Sequence, residues 1–442
     1  MKKELFLTSF LFVILFPLFV FSQSGWIQLN SGVSKNLNSV FFPPSAAGSF
    51  GFAVGDSGVV LKTTTGGVNW ISVSPNAVAD FKALFFLDLS TGWVTGWGNN
   101  YVLVYKTTNS GANWTRQYNE YDILNAPTCC SFINANTGYI GGGRKTALVP
   151  QGFDMSTING GVNWTKSSHY EKVLCCAFAS PGNGWRGGIF QIGYLSAALS
   201  YTENYGANWN QTYFVDSTYF FGIQFIDSLN GFCIANSFMT PPYNFNYLLE
   251  TTSGGYSWGK KSELKVLNKL TPSNFFFSLY FVTAQKGWLC GTNGNIYFTP
   301  DGGNSWSTQN SHVTTDLKAI KFTDAYTGYC VGSGGVILKT VTGGITNVNI
   351  QSEIPKKYFL SQNIPNPFNP VTIIKYSVPK NTLVTIQVFD ILGRLISTLI
   401  NKVQLPGDYE TTFNGSGLNS GIYFYRLQSS GYIETRKMLL LK

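Results

Sequence analysis

Thr63-Thr-Thr-Gly-Gly-Val-Asn-Trp70 decides how this 442-residue chain is read, because close variants of it return along the sequence. They are Thr107-Thr-Asn-Ser-Gly-Ala-Asn-Trp114, Thr157-Ile-Asn-Gly-Gly-Val-Asn-Trp164, Thr202-Glu-Asn-Tyr-Gly-Ala-Asn-Trp209, Thr251-Thr-Ser-Gly-Gly-Tyr-Ser-Trp258 and Thr299-Pro-Asp-Gly-Gly-Asn-Ser-Trp306. A last copy, Thr340-Val-Thr-Gly-Gly-Ile-Thr-Asn347, lacks the tryptophan. Successive tryptophans lie 44, 50, 45, 49 and 48 residues apart, a period typical of four-stranded propeller blades.

Three more signals recur in fixed order and read as strands a to d of one blade. Strand a ends at Phe42, Phe86, Phe132, Phe178, Phe225, Phe281 and Phe322. Two places earlier every copy is apolar or Cys (Val40, Leu84, Cys130, Cys176, Ile223, Leu279, Ile320), which is strand periodicity. Three places before the Phe the residue is always small (Ser39, Ala83, Cys129, Cys175, Gly222, Ser278, Ala319), as crowding around a central axis demands. Strand b opens with Gly and an aromatic: Phe52, Trp93, Tyr139, Trp185, Phe232, Trp288, Tyr329. Strand c, clearest at 59–63 and 336–340, leads into the Gly-rich turn, where Gly supplies a positive φ. The tryptophan begins strand d.

A missing tryptophan would be a serious defect. A buried aromatic covers roughly 150–250 Å², worth about 4–6 kcal/mol at ~25 cal/mol/Å². Trp26, upstream of the first strand a, can fill the gap if Trp26-Ile-Gln-Leu29 supplies the outer strand of the last blade. The expected fold is therefore all-β: a seven-bladed β-propeller over residues 23–348, closed by the N-terminal strand, then a linker at 349–360 and a small β-sandwich at 361–442.

Residues 1–22 carry two lysines and an apolar run from Phe10 to Phe21, the pattern of a secretory signal peptide cleaved between Ser22 and Gln23. The run is shorter than the ~20 residues of a membrane span. The composition, 44% apolar, 16% aromatic and 12% charged, suits an aromatic-rich β protein. The net charge of +9 is concentrated outside the propeller, since residues 5–356 hold 19 basic against 16 acidic groups. That excludes a nucleic-acid footprint, and no zinc spacing or phosphate loop indicates a metal or cofactor. The seven cysteines all fall in propeller strands and read as buried thiols, or as a Cys129–Cys175 cross-link between adjacent blades. His169 and His312, the only histidines, read as surface residues.

After the linker, Asn363-Ile-Pro-Asn-Pro-Phe-Asn-Pro370 opens a segment of alternating runs at 372–378, 384–389, 409–413, 422–428 and 432–440, with turns between them. Asn366-Pro-Phe-Asn-Pro370, Val388-Phe-Asp-Ile-Leu-Gly-Arg394, Ser420-Gly-Ile-Tyr-Phe-Tyr425 and Lys437-Met-Leu-Leu-Leu-Lys442 resemble a type IX secretion system type A sorting domain. On that resemblance the motif residues are Asn366, Pro367, Phe368, Asn369, Pro370, Gly393, Gly421 and Lys437. It implies secretion-machinery partners for residues 361–442, passage through the periplasm of a Gram-negative, Bacteroidetes-like bacterium, and release or surface attachment, with membrane contact only through that export. The repeat, through Gly51-Phe-Ala-Val-Gly55, Gly328-Tyr-Cys-Val-Gly332 and the Gly-Gly turns, is similar to the Ycf48/Hcf136-like and BNR (Asp-box) propellers. That likeness bears on fold and only weakly on function, and a sorting tail argues against a photosystem role.

Sialidases share the Asp-box turn but hold a substrate carboxylate with three arginines. Arg116, Arg144 and Arg186, the propeller's arginines, fall at different blade positions. The b–c links look long at 143–154, 188–199 and 236–247, and the last carries Phe238-Met-Thr-Pro-Pro-Tyr-Asn-Phe-Asn-Tyr247. Exposed aromatics on long loops suit stacking on a sugar or gripping a protein. The expected contact site comprises Arg144, Lys145, Tyr243, Phe245 and Tyr247, with no catalytic residue assigned. The expected function is a secreted or cell-surface, non-enzymatic propeller binding a protein or glycan; the alternative is a secreted carbohydrate-active hydrolase.

Overall fold

The computed structural model describes residues 25–44, 48–145, 151–180, 182–192, 194–237, 246–264, 275–345, 357–404 and 406–441. The expected signal peptide with Ser22 and Gln23, most of the linker, and the loop residues Tyr243 and Phe245 lie outside them. The chain divides into two compact units, Met1–Thr346 and Asn347–Lys442.

Among the described residues, the first unit consists of seven four-stranded antiparallel sheets. Blade one runs Leu37–Phe41, Gly51–Gly55, Val60–Thr63 and Ile71–Ser72 as strands a to d. Blades two to six follow at 80–121, 125–169, 172–216, 218–264 and 276–309. Blade seven takes its first three strands from Leu317–Phe322, Gly328–Gly332 and Ile337–Thr340, and its outer strand from Ile27–Leu29. Ile27 pairs with Lys339 and Leu29 with Ile337. Each innermost strand touches that of the next blade, and that of blade seven touches that of blade one. This is a β-propeller.

One aromatic unit is repeated at six of the seven seams. The strand-a Phe stacks on the strand-b aromatic of the preceding blade: Phe42 on Tyr329, Phe86 on Phe52, Phe132 on Trp93, Phe225 on Trp185, Phe281 on Phe232 and Phe322 on Trp288, with ring centroids 3.7–3.9 Å apart. The turn tryptophan of its own blade then meets that Phe edge-on, as Trp70 does Phe42, Trp114 Phe86 and Trp306 Phe281. Blade seven completes the series with Trp26, whose ring lies 5.8 Å from Phe322 at 86°. Trp26 is 1% exposed, and its Nε1 donates to Gln309 Oε1 of blade six at 2.7 Å. The glycine opening strand b follows from the same packing, because a methyl group on Gly51 would lie 2.5 Å from the Phe42 ring and one on Gly92 2.4 Å from Phe86.

The Gly-Gly turns fold by a shared hydrogen-bond pattern. The first Thr accepts through Oγ1 from the N–H four residues on, as Thr63 does from Gly67 at 2.9 Å and Thr340 from Gly344 at 2.7 Å. The third residue caps the turn in the same way: Thr65 accepts from Asn69, Asn109 from Asn113 and Asp301 from Ser305. Thr, Asn, Ser and Asp interchange there because each offers one acceptor oxygen at the right reach.

The second unit is a two-sheet sandwich. Phe359–Leu360, Val371–Val378 and Gly407–Asn414 face Leu395–Gln404, Thr382–Phe389, Gly421–Ser429 and Tyr432–Leu440 around Ile374, Tyr376, Val388, Tyr425 and Leu427. Two expectations change. Phe359–Leu360, placed in the linker by the sequence, pairs with Ser377 and Tyr376. Leu395–Gln404 had no strand signal; it is an edge strand exposed on most of its length, so its residues do not alternate.

Trp26→Ala should lower the unfolding free energy by about 3–5 kcal/mol, the usual cost of truncating a buried large aromatic, and Trp26→Phe should lose less. Urea unfolding followed by circular dichroism checks this; an unchanged midpoint for Trp26→Ala would mean that the N-terminal strand does not hold the ring together.

Candidate functional site

The a–b and c–d turns occupy one rim of the propeller, and the b–c and d–a connections the other. At this second rim every innermost strand carries a β-bulge that leaves one residue unpaired. The residues are Asn38, Lys82, Thr128, Leu174, Phe221, Phe277 and Lys318. A bulge turns its extra side chain out of the ladder, here on the strand edge with no partner strand. All seven are half-buried.

Neighbouring bulges interact. Asn38 Nδ2 donates to the Phe81 carbonyl of blade two at 2.8 Å and to Asp56, which also binds Lys82 at 2.7 Å. Thr128 Oγ1 donates to the Val173 carbonyl of blade four at 2.6 Å. Phe221 and Phe277 meet at 5.7 Å, edge to face, and the Lys318 ammonium sits 4.1 Å from the Phe277 ring. Tyr219 and Phe275 extend this pair into a four-ring cluster, with Tyr219 5.9 Å from Phe221 and Phe275 6.3 Å from both. One side of the ring of bulges is thus aromatic and the other is charged and amide-bearing. At the opposite, a–b end, Lys321 lies between Phe41 and Tyr280, and burial pulls its ammonium down to about 8.

Of the residues expected to form the contact site, the three described ones lie on two blades. Arg144 ends strand b of blade three, opposite Asn125. Lys145 folds back so that its ammonium lies 3.1 Å from the Trp97 ring centroid of blade two. Tyr247 begins strand c two blades further on, beneath the Lys260 ammonium at 3.6 Å. The long link expected at 188–199 is instead a regular hairpin, Asn183–Ile192 paired with Tyr194–Thr202 throughout. The bulge column was available in the sequence, four places before each strand-a Phe. It carried no alternation signal because a bulge breaks the period.

The seam between blades three and four holds an ion cluster that the sequence did not show. Arg186 reaches Asp154 through Nη1 and Glu171 through Nη2 at 2.9 Å, and its guanidinium lies 4.7 Å from the Trp209 ring. The Tyr139 hydroxyl donates to Asp154. His169 Nε2, expected at the surface, is 3.3 Å from both Asp154 Oδ2 and Arg186 Nη1. At this seam the Tyr139–Phe178 pair is tilted at 5.6 Å rather than stacked. Burial raises the Asp154 carboxyl, but the His169 hydrogen bond and the Arg186 charge outweigh it and leave the group below its ordinary 3.8. Burial dominates at Glu171 and raises it. Both described carboxylates are thus tied to one guanidinium, an arrangement that braces the seam.

The sorting-motif residues are built into the sandwich. Phe368 is a core residue; its N–H donates to the Leu439 carbonyl, and Asn366 Oδ1 accepts from the Leu439 N–H, each at 2.9 Å. Pro367 and Asn369 flank Phe368, and the Pro370 carbonyl accepts from Gly415. Gly393, at φ +78, closes the Asp390 to Arg394 turn. Gly421 opens a strand, and the Lys437 carbonyl accepts from Gln362.

Residues 363–441 match the family described as secretion system C-terminal sorting domain, and residues 265–341 that of photosynthesis system II assembly factor YCF48. The propeller is Ycf48-like, and the tail is a sorting domain. Photosystem II stability/assembly factor HCF136 of Arabidopsis thaliana is 24% identical over 316 residues, 66% of this chain and 73% of that protein. A solved YCF48 bound to a D1 peptide superposes on this chain with TM-score 0.54 at 19% identity, covering 72% of it and 97% of its own length. A GH74 xyloglucanase from Xanthomonas campestris does so with TM-score 0.56 at 10% identity, over 80% of this chain and 59% of its own. At these identities the superpositions establish the fold alone.

Asp154→Asn should cost about 3–5 kcal/mol at neutral pH by leaving Arg186 partly unpaired. A depressed carboxylate stabilises the fold above its unfolded value and loses that contribution as pH falls through its folded value. The raised Glu171 acts in the opposite sense. The gap between variant and wild type should therefore narrow in acid; paired urea titrations at neutral and acidic pH read it, and a gap that is constant with pH would refute the assignment.

Proposed function

We propose that this protein acts outside the cell as a non-enzymatic binding propeller that holds a segment of a polypeptide chain at its b–c rim. The observation that carries the proposal is the cluster of Tyr219, Phe221, Phe275 and Phe277 beside Lys318, four half-buried rings on bulged strands that the repeat does not require there. Aromatic faces next to a cation suit apolar and aromatic side chains together with a nearby acidic group. Arg144, Lys145 and Tyr247 are assigned to the outer part of the same rim, on blades three and five. A solved relative with a peptide bound lends support to a polypeptide over a glycan. The sorting tail marks the chain for secretion; release or surface attachment, and contact with the secretion machinery through residues 361–442, belong to the same proposal.

The test is a peptide library and a glycan array probed with the secreted protein, alongside a panel of fluorogenic glycosides. Binding of peptides without turnover of any glycoside is expected. The double variant Phe221→Ala, Phe277→Ala should bind at least about tenfold more weakly, a loss of ~1.4 kcal/mol, with an unchanged circular dichroism spectrum. Glycoside turnover, or binding untouched by the double variant, would overturn the reading. Removal of residues 363–441 should leave the protein in the periplasm, as fractionation would show.

A further inference from the structure

Six of the seven cysteines meet in pairs across blade seams. Cys175 and Cys176 are neighbours on the innermost strand of blade four, so strand alternation sends them to opposite sides. Cys175 turns towards blade five. Its Sγ lies 3.5 Å from the Phe220 carbonyl there, and it shares one buried core with Cys233 of that blade. Cys176 turns towards blade three, whose innermost strand packs beside its own and carries Cys129 in the column that faces blade four. Cys290 of blade six sits 3.5 Å from the Leu317 carbonyl of blade seven and shares another buried core with Cys330 of that blade. All seven thiols are free in the structure, and the Cys129–Cys175 link that the sequence offered as an alternative does not arise. Those two occupy the same column of adjacent blades, so each faces the blade that follows its own. Cys130 remains over, which accounts for the odd count.

We propose that Cys129–Cys176, Cys175–Cys233 and Cys290–Cys330 are disulfide sites that sew together blades three, four and five and blades six and seven when the protein is exported. Each bridge forms by thiol–disulfide exchange with an oxidised dithiol of an exported oxidoreductase. A thiolate of the pair attacks the donor disulfide, the second thiolate displaces the mixed disulfide, and the donor leaves with two electrons and two protons as a dithiol. Burial raises the Cys175, Cys176 and Cys330 thiols well above their ordinary range. Thiols of that kind react slowly, so the bridges close while the seams are still open during folding. The spacing of the pairs fits the secretion marked by the tail, since disulfides persist in oxidising compartments.

The test uses the full chain recovered from outside the producing cells, compared with the same chain made in a reducing cytosol. Both are denatured, alkylated and mapped as peptides by mass spectrometry. The exported chain should label only at Cys130, weigh two hydrogens less per bridge and yield the three named cross-linked peptides; the cytosolic chain should label at all seven. Seven labelled cysteines in the exported chain, or different partners, would overturn the proposal. A second measurement compares urea midpoints with and without reductant: the midpoint of exported wild type should fall on reduction, and that of Cys290→Ser, Cys330→Ser should fall less. If that variant does not accumulate, the wild-type map alone decides.

Discussion

The stack of a strand-a phenylalanine on the strand-b aromatic of the blade before it is the contact on which the ring depends. Sheets packed face to face need a filler at each seam, and an aromatic pair supplies area together with a fixed offset between blades. Much of the repeat's sequence follows from that pair. The glycine opening strand b leaves room for the Phe ring, the small residue three places before the Phe lets innermost strands converge, and the turn tryptophan covers the ring's edge. Because the last seam joins blade seven to blade one through Phe42 and Tyr329, non-covalent contacts must hold the two ends of the repeat array together. Trp26 does so: an indole at the start of the described chain takes the place that the Asn347-ended copy left open.

Departures from the repeat mark where the blades differ in chemistry. At the seam of blades three and four the stack is tilted, and Arg186, Asp154, Glu171 and His169 take over part of its work. A buried ion cluster of this kind offers little net stability over an apolar seam but is costly to break. At blades five and six the bulge residues are phenylalanines where other blades use Asn, Lys, Thr or Leu. A bulge frees a side chain from the sheet without disturbing the aromatic stack behind it, so the side-chain chemistry of the inner rim can vary while the ring stays the same.

The reading of individual residues divides along the same line. Val40, Phe42 and their counterparts were legible because strand alternation and the repeat both constrain them. Leu395–Gln404 was not, because an edge strand open to solvent needs no alternation. His169 looked like a surface residue because its partners, Asp154 and Arg186, are 15 and 17 positions away on different strands. Arg144, Lys145 and Tyr247 were grouped by loop length and loop aromatics, yet Tyr247 stands two blades from the other two.

By itself the sequence determined the blade period, the order of strands within a blade, the role of Trp26 and the sorting tail. All of these rest on local repetition and on a buried area large enough that its loss would be felt. Only the tertiary structure decided which thiols face each other, which side chains the bulges expose, and that four charged or polar groups from two blades share one seam. Those depend on the side of a strand from which a residue projects into its neighbour, and a one-residue bulge reverses that side without leaving a mark in the composition.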